Sequence, residues 1–548
     1  MSNVFYQRFL ILLFLSIALF LGGNNLVHLT DPDEVFYTLT AREMADRNEW
    51  LTPYIFNQPQ FEKPILTYDL IRVSFDAFGQ TPFAARFFPA VFACFGVLGI
   101  YALGLFGFGN ERRAFLAALV MATSAFYMAM AKTVFTDMIF SVLILYSLLS
   151  FYLAYLNPDF RRAGIFSFYI FAALAVLAKG PLGLLIPLAA VIIFLLYQRE
   201  ISFLKTPWFL IGFGLCLVIS IPWYWYEISK YGDVFIKEFF VNDHWRRLTE
   251  AEHRSNDTWY FYPITMLAGL FPWTLFVAAA FVDLFKRLKF TIKPFEYFLL
   301  SWILVVFIIF QVSHSKLASY ILPMFPALAL LAANYIDERL EQYQHRVLKI
   351  FAYCMIGFLT VLGIGVLAAH KAYDVYIPTL VPAYWLSAVL ISLGGISLVL
   401  LFREKIREAL ILLGFSLVSI FITAFMIVGF IEPHISMNEA CLYVPSLAMK
   451  KTTILTSKPY ARGVAFYTHQ EVAVLNIAGE NYFSPHPIPI ITTEEALEIF
   501  LAAQQETYAI VRKSQYEDIK KHVSDKFQVN LLKISGRNYI LKIDPIKP

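Results

Sequence analysis

Phe9-Leu10-Ile11-Leu12-Leu13-Phe14-Leu15-Ser16-Ile17-Ala18-Leu19-Phe20-Leu21, then Gly22-Gly23-Asn24-Asn25, then Asp31-Pro32-Asp33-Glu34, is the stretch that decides the fold. Gly22 to Asn25 lacks the small-residue cleavage pattern of a signal peptide, and many further apolar runs follow, so the first run reads as a retained membrane helix. The acids then fall just beyond its far end, on the side opposite the N-terminus. The chain is 548 residues long, 59% hydrophobic and 15% charged, with 54 Phe and 31 Tyr. Soluble domains carry about 25% charged residues, so water-soluble folding is excluded. The net charge is only +4 and no lysine-arginine tract is present, which removes nucleic acid from the partners. The four scattered cysteines have neither metal-ligand spacing nor a disulfide pattern.

A helix needs about 20 apolar residues to cross a bilayer. Thirteen such runs lie near 8–24, 85–107, 114–131, 134–156, 164–179, 181–197, 207–228, 263–284, 295–312, 317–335, 350–369, 379–402 and 408–430. Basic residues recur in every second connection: Arg112 and Arg113; Arg161 and Arg162; Arg199 and Lys205; Lys286, Arg287, Lys289 and Lys293; Arg339, Arg346 and Lys349; Arg403, Lys405 and Arg407. The positive-inside rule makes that face cytoplasmic. The expected protein is polytopic and α-helical, with its N-terminus inside. Its transmembrane domain covers 1–432, with outer loops at 25–84 and 229–262. Residues 433–548 form an outer, periplasmic α/β domain, in which 463–467 and 508–511 read as strands, 494–504 and 514–523 as helices, and 527–543 as a hairpin turning at Ser535-Gly536-Arg537-Asn538.

Charges at outer span ends mark a candidate site. Asp33 and Glu34 open a helix that runs through Tyr37 and Arg42-Glu43-Met44. One acid would suffice for a helix cap, so a second carboxylate at the membrane edge points to more than capping. Glu62 and Lys63 stand between Pro59 and Pro64, Asp137 opens the fourth span, and Lys179-Gly180-Pro181 makes the next outer turn. The second large loop holds Asp243, His244 and Arg247 before an aromatic belt at Trp259-Tyr260-Phe261-Tyr262. Lys316 and Tyr320, four apart, would share a face if their segment is helical. Snorkelling lysines, belt aromatics and first-turn acids are the ordinary readings of such positions one at a time. Together they describe an outward cleft suited to glycosyl or phosphoryl transfer from a charged lipid: a carboxylate to take a proton, cations to hold a departing phosphate. Glu62, His244 and His253 are candidate ligands for a divalent metal, without close spacing; the reading requires no cofactor.

These residues resemble the C-superfamily membrane glycosyltransferases that use polyprenyl-phosphate sugars, above all the branch of the lipid A aminoarabinose transferases, related to the protein O-mannosyltransferases. The resemblance rests on Asp33-Glu34, Tyr37 and Arg42-Glu43-Met44; on Phe61-Glu62-Lys63-Pro64; on Asp137; on Lys179-Gly180-Pro181; on His244 and Arg247; and on Ser315-Lys316-Leu317 with Tyr320. It runs through about residues 1–335. One position departs: where that branch often has an arginine two residues after the acidic pair, this chain has Phe36. The resemblance implies inverting transfer from an undecaprenyl-phosphate sugar to lipid A or a related envelope acceptor, in a bacterial inner membrane. Asp33 would be the main catalytic carboxylate and Asp137 its helper in positioning. Glu34, Tyr37, Lys63, Arg247, Lys316 and Tyr320 would bind substrate. A protein acceptor is the alternative within the family; a lipid-linked sugar transporter or flippase is the alternative outside it, disfavoured because the charges gather at span ends rather than at the midplane of repeated halves.

Overall fold

The computed structural model describes residues 3–252, 254–287, 292–342, 345–374, 376–445, 452–479, 488–523 and 525–546. His253 and Lys289, named above, lie outside them. Among the described residues, ten helices are long and apolar enough to cross a membrane, or up to twelve if each of two bent helix pairs is one span. A shorter apolar helix, Leu182–Gln198, stands at the place of the sixth expected run. Every one of the thirteen apolar runs is therefore helical, and the differences are local. The third breaks between Glu111–Ala122 and Ala125–Ala131, bent by 65°. There the Thr123 and Ser124 hydroxyls return to the carbonyls of Leu119 (2.7 Å) and Val120 (2.6 Å), a device that bends helices. The eighth breaks between Phe261–Gly269 and Thr274–Arg287, bent by 119°, at Pro272, which has no amide to donate to a continuing helix.

The chain gathers into two compact units. The first takes the residues up to Asn24, Phe61–Thr67 and Arg86–Met426; the second takes Asn25–Gln60, Tyr68–Ala85 and Ile427–Pro548. In the first, helices 136–156, 182–198 and 294–312 pack through a mesh of rings in which Phe151, Tyr152, Phe194 and Phe298 stand 4.9–6.4 Å apart. One end of this bundle carries an ion network. Arg112 and Arg113 grip Asp337 at 2.6 and 2.8 Å and Glu341 at 2.6 and 2.5 Å, Arg287 grips Glu296 at 2.9 Å, and Lys349 meets Glu404 at 2.6 Å. These pairs involve the connections after the second, eighth, tenth and twelfth runs, which the thirteen-run count puts on one face.

The second unit is built on a six-stranded sheet. Its strands are β3 (Ile454–Thr456), β4 (Val472–Leu475), β5 (Ile490–Ile491), β6 (Thr507–Arg512), β7 (Phe527–Ser535) and β8 (Asn538–Pro545), numbered after the short hairpin β1 (Tyr54–Ile55) and β2 (Gln58–Pro59). The order is β5-β4-β3-β6-β8-β7; β3 to β6 pair in parallel and β8 is antiparallel to both its neighbours. Helices Glu494–Ala502 and Lys513–Val523 bury Leu497, Leu501, Ile519 and Val523 against Leu455, Leu475, Val511 and Leu541. The parallel centre with helical crossovers is the α/β arrangement that alternating strands and helices imply. One expected strand is corrected: 463–467 lies inside a helix, Ala461–Thr468. Side chains from loop one pack at both ends of this helix, as described below, a tertiary setting that propensity does not see.

Candidate functional site

Within the first unit, one continuous chain of contacts links residues far apart in sequence. The Lys63 ammonium contacts the Asp243 carboxylate at 2.8 Å. Asp243 also meets Arg247 at 3.1 Å. Arg247 donates to the Tyr320 hydroxyl at 2.9 Å. The Lys179 ammonium lies 4.3 Å over the Tyr320 ring and pairs with Asp137. These charges are interior: side-chain exposure is 13% for Lys63, 9% for Asp243, 14% for Arg247, 9% for Lys179 and 5% for Asp137. Burying charge costs several kcal/mol per ion unless each is paired and hydrogen-bonded, and the pairing here is close. Arg247 also keeps its Nε buried without a hydrogen-bond partner among the described residues.

Local structure explains the convergence. Asp137 lies in the first turn of Thr136–Leu156 and Lys179 in the last turn of Arg161–Lys179, so an acid and a base each sit at the helix end their charge favours. After Lys179 the chain reverses through Gly180 at φ +107°, a conformation open to glycine; a Cβ there would lie 2.7 Å from the His244 imidazole. Asp243 and His244 belong to a π-helical segment, Ile236–Trp245, a widened helix found mostly at functional sites. Its i→i+5 spacing lets His244 Nδ1 meet the Phe239 carbonyl at 2.7 Å. The Arg247 carbonyl then receives the Ser313 hydroxyl (2.9 Å) and the Ser315 amide (3.0 Å), tying the 246–248 segment to 313–315.

Burial alone would raise the Asp243 carboxyl, but Lys63 and Arg247 together hold it below the usual carboxylate range. Burial lowers the His244 imidazole, against the pull of Asp243, so it is neutral at pH 7. Lys316 is placed differently from expectation. It precedes the helical turn Ala318–Met324 and shares no face with Tyr320; its ammonium bonds Asp257 at 2.7 Å, with His314 on the other Asp257 oxygen at 2.8 Å. Those two hydrogen bonds pull the Asp257 carboxyl down. Among the described residues no group of three or more His, Cys, Asp or Glu side chains is arranged to hold a metal. Glu62 and His244 are not brought into one.

In the second unit, helix Asp33–Asp46 starts as the sequence indicates, with Asp33 and Glu34 in its first turn. Asp33 is exposed. Glu34 is buried, and its Oε2 accepts from the Thr30 amide (3.0 Å) and hydroxyl (2.9 Å). Tyr37 is buried too, 5.1 Å from Phe36 and 5.9 Å from Tyr68. Phe36 is covered by the Arg462 guanidinium at 4.6 Å. Burial pushes the Asp31 carboxyl well up, opposed by the amides of Met437 and Gly463 and by Arg462.

Asp243, the hub of the first unit's network, was visible in the sequence only as one more acid in a loop, and Lys179 as an interfacial anchor. The signal that could have raised both is sign: an acid beside His244 and Arg247, and a base beside an outer turn, each needing a buried partner of opposite charge.

The family model described as dolichyl-phosphate-mannose-protein mannosyltransferase matches residues 62–226. The chain is 29% identical over 360 residues to the undecaprenyl phosphate-alpha-4-amino-4-deoxy-L-arabinose arabinosyl transferase of Serratia proteamaculans, covering 64% of this chain and 63% of that one. It is 29% identical to the Yersinia enterocolitica protein of the same name, over 66% of each. The similarity thus spans just under two thirds of these relatives' own length. Among solved structures, ArnT from Cupriavidus metallidurans bound to undecaprenyl phosphate superposes with a TM-score of 0.75 at 19% identity, covering 98% of this chain and 97% of that one. The archaeal oligosaccharyltransferase AglB from Archaeoglobus fulgidus superposes at 0.51 with 13% identity, covering 93% of this chain and 69% of that one. The chain has the fold of the ArnT structure and resembles in sequence the undecaprenyl-phosphate arabinosyl transferases and, over residues 62–226, the protein mannosyltransferase model.

Proposed function

We propose that this protein is an inverting glycosyltransferase that moves a sugar from an undecaprenyl-phosphate donor to lipid A or a related envelope acceptor on the outer face of the inner membrane. The observation that carries the proposal is the buried run Lys63–Asp243–Arg247–Tyr320–Lys179–Asp137. Three cations in an enclosed, largely dehydrated setting are what a phosphate leaving group needs, because charge stabilisation there is worth far more than in water. The unpartnered Arg247 Nε supplies a donor for a phosphate oxygen.

In the step itself an acceptor oxygen attacks the anomeric carbon as the bond from that carbon to the donor phosphate breaks on the opposite face. On the resemblance to the aminoarabinose branch, the acceptor proton is assigned to Asp33, an exposed carboxylate in the first turn of its helix. Where the acceptor is already a phosphate anion, Asp33 orients the sugar instead. Lys63, Arg247 and Tyr320 take the phosphate as it gains charge, and Asp137, held by Lys179, positions sugar or acceptor. Glu34 and Tyr37, both interior, set the helix that presents Asp33. Lys316 organises the neighbouring turn through Asp257. The N-terminus is assigned to the cytoplasm and the 433–548 domain to the periplasm, on the distribution of basic connections. The mannosyltransferase match over 62–226 favours one second reading, transfer to a protein hydroxyl.

Mass spectrometry of lipid A from cells making the wild type and cells making Asp33→Asn tests the proposal. A sugar mass present only with the wild type is expected. Identical spectra, with a glycosylated envelope protein found only in the wild type, would move the acceptor to protein.

A further inference from the structure

The Arg42-Glu43-Met44 element and Asp31 have no part in the chemistry above, yet both are engaged at distances that call for explanation. The contacts described below all lie within the second unit. The Asp31 Oδ2 accepts from the Met437 amide at 3.0 Å, and the Asp31 amide donates to the Ile435 carbonyl at 2.8 Å. The same carboxyl is pressed against the first turn of helix Ala461–Thr468: a Cβ on Gly463 would lie 2.2 Å from Oδ1 and 2.5 Å from Oδ2. At the other end of that helix, Arg42 donates through its two terminal nitrogens to the carbonyls of Phe466 (2.5 Å) and Ala465 (3.2 Å), with its guanidinium 5.2 Å over the Phe466 ring. An acid therefore meets the amide end of the helix and a guanidinium meets its carbonyl end, the arrangement that both the orphan backbone groups and the helix dipole favour. Arg42 lies in Asp33–Asp46, the helix that starts with Asp33, and Asp31 is two residues before it, so the two helices run side by side in the same direction. Glu43 completes the fastening by accepting from the Phe56 and Asn57 amides, both at 2.8 Å.

We infer that Asp31 and Arg42 are positioning residues that clamp helix Asp33–Asp46 along helix Ala461–Thr468, so that the C-terminal α/β region sets where Asp33 is presented. This rests on the reading of Asp33 as the reacting carboxylate. The clamp itself rests only on the contacts. Asp31 acts as a hydrogen-bond acceptor, a role that its ionised and protonated forms both fill. Arg42 acts by spanning two carbonyls with its planar, pre-organised fork, which the compact ammonium of a lysine on a flexible stem reproduces only in part.

The test uses the full-length chain in detergent micelles, with Asp31→Ala, Arg42→Gln, Arg42→Lys and Gly463→Ala compared by two readouts. Hydrogen exchange of the 33–46 amides should speed up at least tenfold in Asp31→Ala and Arg42→Gln, and by less in Arg42→Lys, while the β6 amides 507–512 keep their wild-type rates. In turnover of an undecaprenyl-phosphate aminoarabinose donor, kcat should fall at least tenfold with the donor KM within about threefold, and Arg42→Lys should recover part of the loss. A merely structural role would instead speed exchange across the sheet as well. Unchanged exchange at 33–46 in both variants overturns the clamp. Faster exchange with unchanged kcat overturns the positioning role. If the wild type turns over no such donor, the reading of Asp33 fails on its own and the exchange data still decide the clamp.

Discussion

The helical unit carries charge at both ends, and the two ends are built differently. At one, Arg112, Arg113 and Lys293 pair with Asp337, Glu341 and Glu338, and the rim is wet around one interior pair: Arg112 is 35% exposed, Glu341 41% and Lys293 61%, against 12% for Arg113 and 1% for Asp337. At the other, no member of the Lys63–Asp243–Arg247 and Lys179–Asp137 pairs exceeds 14% exposure. Half-solvated ion pairs are worth about 0–1 kcal/mol each, so the first network records how the connections assemble on one face. Interior pairs cost desolvation that packing could avoid. Such pairs are retained where charge has work to do, and having every member interior is what favours the second end as the proposed site.

The comparison can be broken in several ways. Replacing Asp33 by Asn should abolish transfer, by a factor of about 10³ or more, if Asp33 provides the base; membrane abundance by immunoblot should stay at the wild-type level. Asp243→Ala should follow, because it leaves Lys63 and Arg247 buried without their shared carboxylate. Breaking such a pair costs about 3–5 kcal/mol, visible as a lowered Tm together with lost donor binding. Lys63→Ala should weaken binding of undecaprenyl phosphate by about 10- to 100-fold, the scale of one charged hydrogen bond; unchanged affinity would return Lys63 to the role of a snorkelling lysine. Arg112→Gln, at the wet end, should lower stability by no more than about 1 kcal/mol and leave donor affinity untouched.

The smallest expected effect is with pH. Asp243 is held below its unfolded value, so its stabilising contribution is fully present above about pH 4 and fades only as pH falls through the folded value. His244 is also held below its usual value and stays neutral at pH 7 and above. Donor affinity measured between about pH 7 and 8 should therefore be flat on account of these two groups. A clear slope there would mean that another titrating group controls binding.

Much of this was legible in the chain. Apolar runs and alternate basic connections gave the helices and their alternation of faces, because a bilayer imposes both on composition. The bends at Thr123-Ser124 and Pro272 were missed as breaks, although each has a local cause. Among the candidate residues, Asp33, Lys63, Asp137 and Arg247 could be singled out because charge at a span end is unusual. Asp243 and Lys179 could not be ranked above ordinary loop and anchor residues, since their significance is a partner more than 40 residues away. The shared face of Lys316 and Tyr320 was conditional on a helix there; Leu317 is extended and the helical turn starts only at Ala318. Helix Ala461–Thr468 read as a strand because its contacts with Asp31 and Arg42 come from over 400 residues earlier, beyond any local pattern.

The most direct test of the buried end is binding of undecaprenyl phosphate and of undecaprenol, the same lipid without its phosphate, to the purified wild type and to Lys63→Ala and Arg247→Ala. The expected result is that the wild type prefers the phosphate form and both variants lose that preference at least tenfold, with undecaprenol binding unaltered. Equal binding of both lipids by the wild type, or a phosphate preference that survives both substitutions, would contradict the account.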